Sequence, residues 1–311
     1  MSGQPFPVDP ELTGVVIAYQ NEELIADQVL PRVGPPLSRQ EFKYSKFDFA
    51  QAVTVPDTKV GRKGEPGEVE FSGTEVTAST MDYGLDDVVP IEDMNNAPAG
   101  YNPLTYAAQG VMDLVLLDRE QRVASKVFNP AIYAAANKVT LSGTSQWSDS
   151  NSDPLAAVQD ARDSLIMTPN VLVIGRAGWT KMRRHPKIVS AISISGTVNG
   201  VATLRAVADL FELDEIIVGS AMINTARKGQ APVLTRAWGK HALLFRRDRL
   251  ATSLNQRPTF GATFQYGTRV AGQIPEPKVG LRGAIRVRAG ESVAEEICAA
   301  DLAYFFQNVV A

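Results

Sequence analysis

The sequence predicts an α+β protein, and three features carry that prediction. Two runs with apolar residues at spacing two flank a Gly/Pro-rich loop, a long capped amphipathic helix follows, and the second half alternates helix and strand before ending in antiparallel strands. The 311-residue chain is long enough for two modest domains or one large domain with insertions. Hydrophobic residues make up 44% and charged residues 21%, so most of the chain can bury a core.

The first forty residues carry prolines at 5, 7, 10, 31, 35 and 36. Only Leu12 to Val29 has room for a helix, and the remainder reads as an extended strap that needs a surface to lie on. Next, "FKYSKFDFAQAVTVP" places Phe42 and Tyr44, Phe47 and Phe49, then Val53 and Val55 at spacing two. The return limb "EVEFSGTEVTAST" does the same with Val69, Phe71, Thr74, Val76 and Ala78. Together they predict a long β-hairpin with a sparse apolar face on each limb, marginal in water unless another surface covers it.

The hairpin tip, "DTKVGRKGEPGEVEF", raises a choice between a phosphate cradle and a solvated turn. A phosphate loop requires GxxxxGK followed by Ser or Thr, and no GK[ST] occurs in the chain. Glu65, Glu68 and Glu70 would also repel a phosphate, so the tip reads as an exposed turn.

After the acidic stretch Asp82 to Asp93, Asn102 and Pro103 open a helix that runs to Phe128, where Asn129-Pro130 stops it. Leu104, Ala107, Ala108, Val111, Leu114 and Val115 form its apolar stripe, with Asp118, Arg119, Glu120 and Arg122 expected in solvent beyond it. Such a helix spans roughly 37 Å, the length of a spine across a flat body. Asp153-Pro154 opens a second amphipathic helix to Ile166. Then follow strand "NVLVIG", helix "RAGWTKMRRHP", helix "TLRAVADLFEL" and strand "EIIVGS". Further strands are expected at "KHALLF", "TFGATFQY", "LRGAIRVRAG" and "LAYFFQNVV", with Ile285 and Val287 facing in and Arg286 and Arg288 facing out.

Composition excludes several function classes. A lone cysteine, Cys298, rules out an internal disulfide framework and fits a reducing compartment. No base precedes Arg32 and no apolar run approaches a membrane span, so neither a secretory signal nor a membrane partner is expected. The net charge of −3 argues against a dedicated nucleic-acid binder, although Arg227 to Arg249 holds seven bases against Asp248 alone. The two histidines, His185 and His241, form no HxxxH or HExxH pattern, and no GxSxG or strand-borne GxGxxG is present. No catalytic residue, metal or cofactor is therefore expected. An αβ enzyme whose site assembles only in space stays as the alternative from another class. The stretch "KMRRHPK" reads as a solvated helix end, Arg246, Arg247 and Arg249 stay open between a nucleic-acid contact and solvated cations, and Tyr304, Phe305 and Phe306 read as a core strand.

The hairpin, the spine "NPLTYAAQGVMDLVLLDREQRVASKVFN" and the passage holding Trp179, Met182, His185 and Pro186, in that order, resemble the major capsid proteins of tailed bacteriophages. "RAWGKHALLF" is similar to the strand that follows in that family, whose fold is the Hong Kong 97 type shared with encapsulin shells. The resemblance implies an N-terminal arm over 1–40, an E-loop hairpin over 41–80 and a peripheral domain over 81–170 with spine 103–128. It further implies an axial domain over 171–270 and C-terminal strands over 271–311 that return to the peripheral and axial body. It implies hexamers and pentamers of the chain tiling an icosahedral virion shell, built in the bacterial cytoplasm around double-stranded DNA held by non-specific contact. A separate scaffold protein, a portal and a decoration protein are the further implied partners, and an encapsulin-type compartment is the runner-up. Within that picture Lys59, Arg62, Lys63, Glu65 and Glu68 at the hairpin tip are expected to meet a neighbour's acidic surface, with Asp86, Asp87 and Asp93 its candidates.

Overall fold

A computed structural model describes residues 7–46, 54–56, 58–60, 62, 64–65, 74–193, 200–251 and 257–311. The strap lies on its own chain. Asp9 accepts the N–H groups of Glu11 and Leu12, and so caps helix α1 (Pro10–Ala18), which buries Leu12 and Val16. Isolated bridges then tie Val8 to Gly272, Arg32 to Thr263 and Leu37 to Tyr266, pinning the strap along strand β10 (Gly261–Glu276). A one-turn helix α2 (Ala26–Val29) interrupts it.

Strands β1 (Glu41–Lys46) and β2 (Thr74–Ser79) pair antiparallel, Phe42 opposite Ala78 and Tyr44 opposite Val76. Their apolar face is covered at the base by the same chain. The Phe42 and Phe264 ring centroids lie 4.5 Å apart, and Val33, Ala262, Ala294 and Cys298 complete that small core. Phe47, Phe49, Val53, Val69 and Phe71 lie outside the described residues, and Val55 is 90% exposed.

The acidic stretch forms an edge strand, β3 (Met81–Pro90), followed by the short helix α3 (Ile91–Asn95). Sequence reading left this stretch unassigned because Asp and Gly are poor strand formers. Here Asp86 faces Arg286 and Arg288 across the pair with strand β11 (Ala284–Ile297), and those ion pairs offset the poor propensity. Strand order is β10-β11-β3. Both β10 and β11 run well beyond the expected segments, because a register shift between Tyr266 and Val270 lets the ladder resume. Gly267, at φ +63, turns the chain there, which is why the strand seemed to end. In β11, Val287 is buried and Ile285 packs against the same core, as the alternation predicts.

The spine is helix α4 (Pro103–Val127), with Asn102 accepting from Leu104 and Thr105 N–H. Two expectations about its faces are overturned. Leu114 is 55% exposed, whereas Arg119 and Glu120 are 1% and 0% exposed. The helix is covered on more than one side, by α1, the arm and the β3/β11 sheet. The buried stripe therefore continues Met112, Leu116, Arg119/Glu120, Val123 at helical spacing, and Leu114 falls on the open side.

The αβ body holds a five-stranded sheet of order β4-β12-β9-β5-β6, built from β4 (Lys138–Thr140), β5 (Val171–Gly175), β6 (Glu215–Gly219), β9 (Ala242–Phe245) and β12 (Ala303–Gln307). Strand alternation sends Leu172, Ile174, Leu244 and Phe306 to one face, against Trp179, Met182, Val207 and Phe211. Val171, Val173, Leu243, Phe245 and Phe305 face the other way, against Val123, Val127, Phe128 and Leu30. Both faces are thus buried, one by helices and the other by the end of the spine and the arm. The helices are α5 (Pro154–Ser164), α6 (Arg176–Met182), α7 (Pro186–Ile192) and α8 (Leu204–Leu210). The helix expected over "RAGWTKMRRHP" ends early, at Met182, and Pro186 opens a further helix, α7, that the sequence reading did not place. His185 is buried rather than solvated. Its Nδ1 accepts from Lys187 N–H at 3.3 Å, and its Nε2 lies 3.0 Å from the Asp149 carbonyl oxygen, so the proton sits on Nε2. A ribbon of β7 (Met222–Asn224) and β8 (Leu234–Arg236), unforeseen from sequence, leaves the end of β6.

Trp238 lies against that same end. A Cβ built on Gly219 would come 2.2 Å from the Trp238 ring, which is itself fully buried and cannot retreat. Gly219→Ala is expected to cost the subunit about 1–3 kcal/mol through overpacking. A calorimetric melt showing an unchanged Tm would contradict that placement of Trp238.

Candidate functional site

Two kinds of candidate site follow from this architecture: the buried junction that unites the chain and the exposed elements that project from it. The junction centres on the spine. Glu120 accepts Ile25 N–H at 3.0 Å and Ala26 N–H at 2.7 Å, and the indole N–H of Trp238 donates to the same carboxylate. Arm, spine and αβ body therefore meet on one side chain. Its neighbour Arg119 donates from Nη1 to Asp27 at 2.7 Å and from Nη2 to the Thr263 hydroxyl at 2.9 Å. The Thr263 hydroxyl in turn donates to the Leu30 carbonyl at 2.9 Å. Arg32 bridges Asp27 at 2.9 Å and the buried Glu291 at 2.9 Å, and Arg269 reaches Glu291 at 3.1 Å. A cleft of about 780 Å³ beside this network is lined by paired charges from the arm and spine, among them Asp27, Arg32 and Arg269.

Burial lifts the Glu120 carboxyl above the ordinary range, and the N–H groups of Ile25, Trp238 and Ala26 work against that lift. For Asp27 burial also opposes ionisation, but the guanidiniums of Arg119 and Arg32 outweigh it and hold the carboxyl below its usual value. Burial, with Glu296 close by, pushes the Cys298 thiol up to about 12, so it packs as a small apolar group. The other buried guanidinium, Arg247, pairs with Glu215 and donates to the Gln28 carbonyl, again fastening arm to body. It is structural, not a solvated cation. His241 lends Nδ1 to the Asn308 N–H at 3.1 Å and packs on Phe128 and Phe305. Tyr304 is half-buried, and Phe305 and Phe306 are fully enclosed, as expected of a core strand.

The expected intersubunit residues that are described lie at the surface. Lys59, Arg62 and Glu65 are exposed, and Lys63 and Glu68 lie outside the described residues. Asp86 is occupied within the chain: Arg288 donates to it from Nε and Nη2, each at 2.7 Å, and Arg286 Nη1 lies at 3.4 Å. The Arg288 bonds hold its carboxyl below the usual range. Asp87 and Asp93 are exposed. Helical spacing from Met112 and Leu116 was the signal that placed Arg119 and Glu120 inside. Charge outweighed it in the sequence reading.

Among the described residues no group of His, Cys, Asp or Glu is arranged to hold a metal, and no helix is long and apolar enough to cross a membrane. Arm, hairpin, spine helix and two-faced αβ body together define the Hong Kong 97-type capsid fold. Residues 131–227 match the family described as phage major capsid protein E. Over all 311 residues of both chains the sequence is 55% identical to the major capsid protein of Pseudomonas phage JBD67. It is 26% identical to the major capsid protein of Burkholderia phage BcepMu over 250 residues, 76% of this chain and 75% of that one. The fold is also that of a phage-related protein from Bordetella bronchiseptica, with a TM-score of 0.77 and 24% identity over 98% of this chain and 99% of that one. The chain belongs to the phage major capsid protein family. It is a shell-forming structural protein, not an enzyme.

Two outcomes follow from the junction. Glu120→Gln presents an amide NH2 where two backbone donors and an indole converge, and is expected to cost about 2–4 kcal/mol in urea unfolding of the subunit. Asp27 stabilises the fold above the ordinary aspartate pKa, and that contribution is lost as pH falls through its lowered folded value, below about 4. Asp27→Asn should flatten this part of the acid limb of the stability curve. An unaltered limb would show that the Arg119–Asp27 pair contributes nothing.

Proposed function

We propose that the chain tiles an icosahedral phage head as hexamers and pentamers, enclosing double-stranded DNA. The observation that carries this reading is the full-length, 55% match to a phage major capsid protein. In this reading residues 1–40 are the arm, 41–80 the E-loop, 81–170 the peripheral domain, 171–270 the axial domain and 271–311 the returning strands. Assembly takes place in the host cytoplasm with a separate scaffold protein, a portal and, on some heads, a decoration protein. DNA contact is electrostatic and blind to sequence, made by local arginine patches on the inner face. A chain of net charge −3 needs such patches, and binding of this kind weakens steeply with salt.

The hairpin tip is an intersubunit arm. Lys59, Arg62 and Lys63 beside Glu65 and Glu68 carry both signs, and they meet a neighbour's acidic β3–α3 surface, where Asp87 and Asp93 stand exposed. Each exposed pair contributes about 0–1 kcal/mol, and repetition over a shell makes the sum matter.

Sedimentation and electron microscopy of the purified chain should show rings or shells. A well-behaved 33.6 kDa monomer at high concentration would overturn the assembly reading. Deleting residues 58–68 and closing the hairpin with Asn-Gly should leave a folded subunit that forms fragile shells or none. Normal shells with unchanged resistance to salt and heat would remove the tip from the interface.

A further inference from the structure

We propose that the β7–β8 ribbon docks onto a second copy of this chain, on the acidic surface that α5 and the α8–β6 turn share. This rests on the shell-forming reading above and names the surfaces that meet. All of β8 is exposed, as are both ends of β7, and Met222, Val233 and Leu234 are 41%, 54% and 63% exposed. Two short strands that, among the described residues, pair only with each other are marginal in water, and three large apolar side chains on the ribbon mark a contact surface. The ribbon is also one-signed. Arg227, Lys228 and Arg236 are exposed, and no acid occurs between Glu215 and Asp248. Its root is firm: Ala237 N–H donates to the Ala221 carbonyl at 3.0 Å, and the next residue is the buried Trp238.

A complementary surface must be acidic with some apolar area. Asp160 and Asp163 are exposed on α5, and Asp209, Glu212 and Asp214 are exposed at the end of α8 and in the turn before β6. An Arg162–Glu212 ion pair joins the two elements into one face, and Ile166 just after α5 and Leu204 at the start of α8 are exposed at 48% and 44%. The acidic turn precedes β6 and the ribbon follows it, so five residues of strand, roughly 17 Å, separate the two patches. Different patches at opposite ends of one strand make a head-to-tail contact, the kind that closes into rings. The apolar side chains favour a protein partner over a polyanion for this basic ribbon.

The test uses the full chain and three variants: Arg227→Glu with Lys228→Glu, Asp160→Lys with Asp163→Lys, and all four together. None of these side chains is buried, so thermal melts should match the wild type. Sedimentation should show each pair of reversals losing the assembled species and the combined variant regaining it. Arg227→Cys with Asp163→Cys, treated with a bismaleimide, should give a ladder of covalent multimers. If the wild type assembles and the two reversals assemble equally well, the ribbon contact is wrong while the shell reading stands. If the reversals abolish assembly and the combination does not restore it, the α5–α8 surface is the wrong partner. Intact shells that retain less nucleic acid after the ribbon reversal would assign the ribbon to the polyanion instead. A wild type that never assembles would remove the shell reading itself.

Discussion

Glu120 carries a carboxylate sealed from water on the spine helix, and N–H groups from two distant segments of the chain converge on it. A buried carboxylate is tolerated only when its oxygens are filled by donors. That requirement fixes where the arm turns at Ile25 and Ala26 and where Trp238 stands against the end of β6. Arg119, one residue earlier, satisfies its two terminal nitrogens with Asp27 and Thr263, which lock the arm to the long β10/β11 ribbon, while its Nε faces Glu295 at 3.6 Å, an ion pair with no hydrogen bond. Adjacent buried charges of opposite sign thus act as a junction box for arm, spine, sheet and body.

Rigidity there matters for what the protein builds. Subunits of a shell must present their contact surfaces at defined angles, and small errors at a root are magnified at a tip. Both projecting elements spring from well-packed roots. The hairpin rests on Phe42 and Phe264, and the β7–β8 ribbon leaves the chain beside Trp238. The two-faced sheet between them buries apolar side chains on both sides, so little of the body's stability is left to depend on neighbours. Assembly can then use many weak, repeated surface contacts while the subunit core remains intact.

Much of this was legible in the sequence. Asn102-Pro103 and Asn129-Pro130 marked the spine's ends, because capping and the missing proline N–H act locally. Spacing-two alternation marked the base of the hairpin, and short apolar runs between turn signals marked most body strands, for the same local reason. The hairpin, the spine and the passage holding Trp179, Met182, His185 and Pro186, taken in that order, pointed to the capsid family. Legibility failed where a distant partner decided the outcome. β3 is a strand because Arg286 and Arg288 neutralise Asp86 from roughly two hundred residues away in sequence, a pairing that strand propensity cannot foresee.

Local chemistry alone therefore determined the α+β class, the order of the elements it marked, the capped spine and the strap's need for a surface. Tertiary structure decided which surface that was, and it turned Arg119 and Glu120 inward while leaving Leu114 outside. It also carried β10 past Gly267 and raised the β7–β8 ribbon off the body. The physical reason is common to all of these. A helix or strand has periodic faces written in its own residues, but what covers each face, and whether a charge finds its partner there, depends on segments far along the chain.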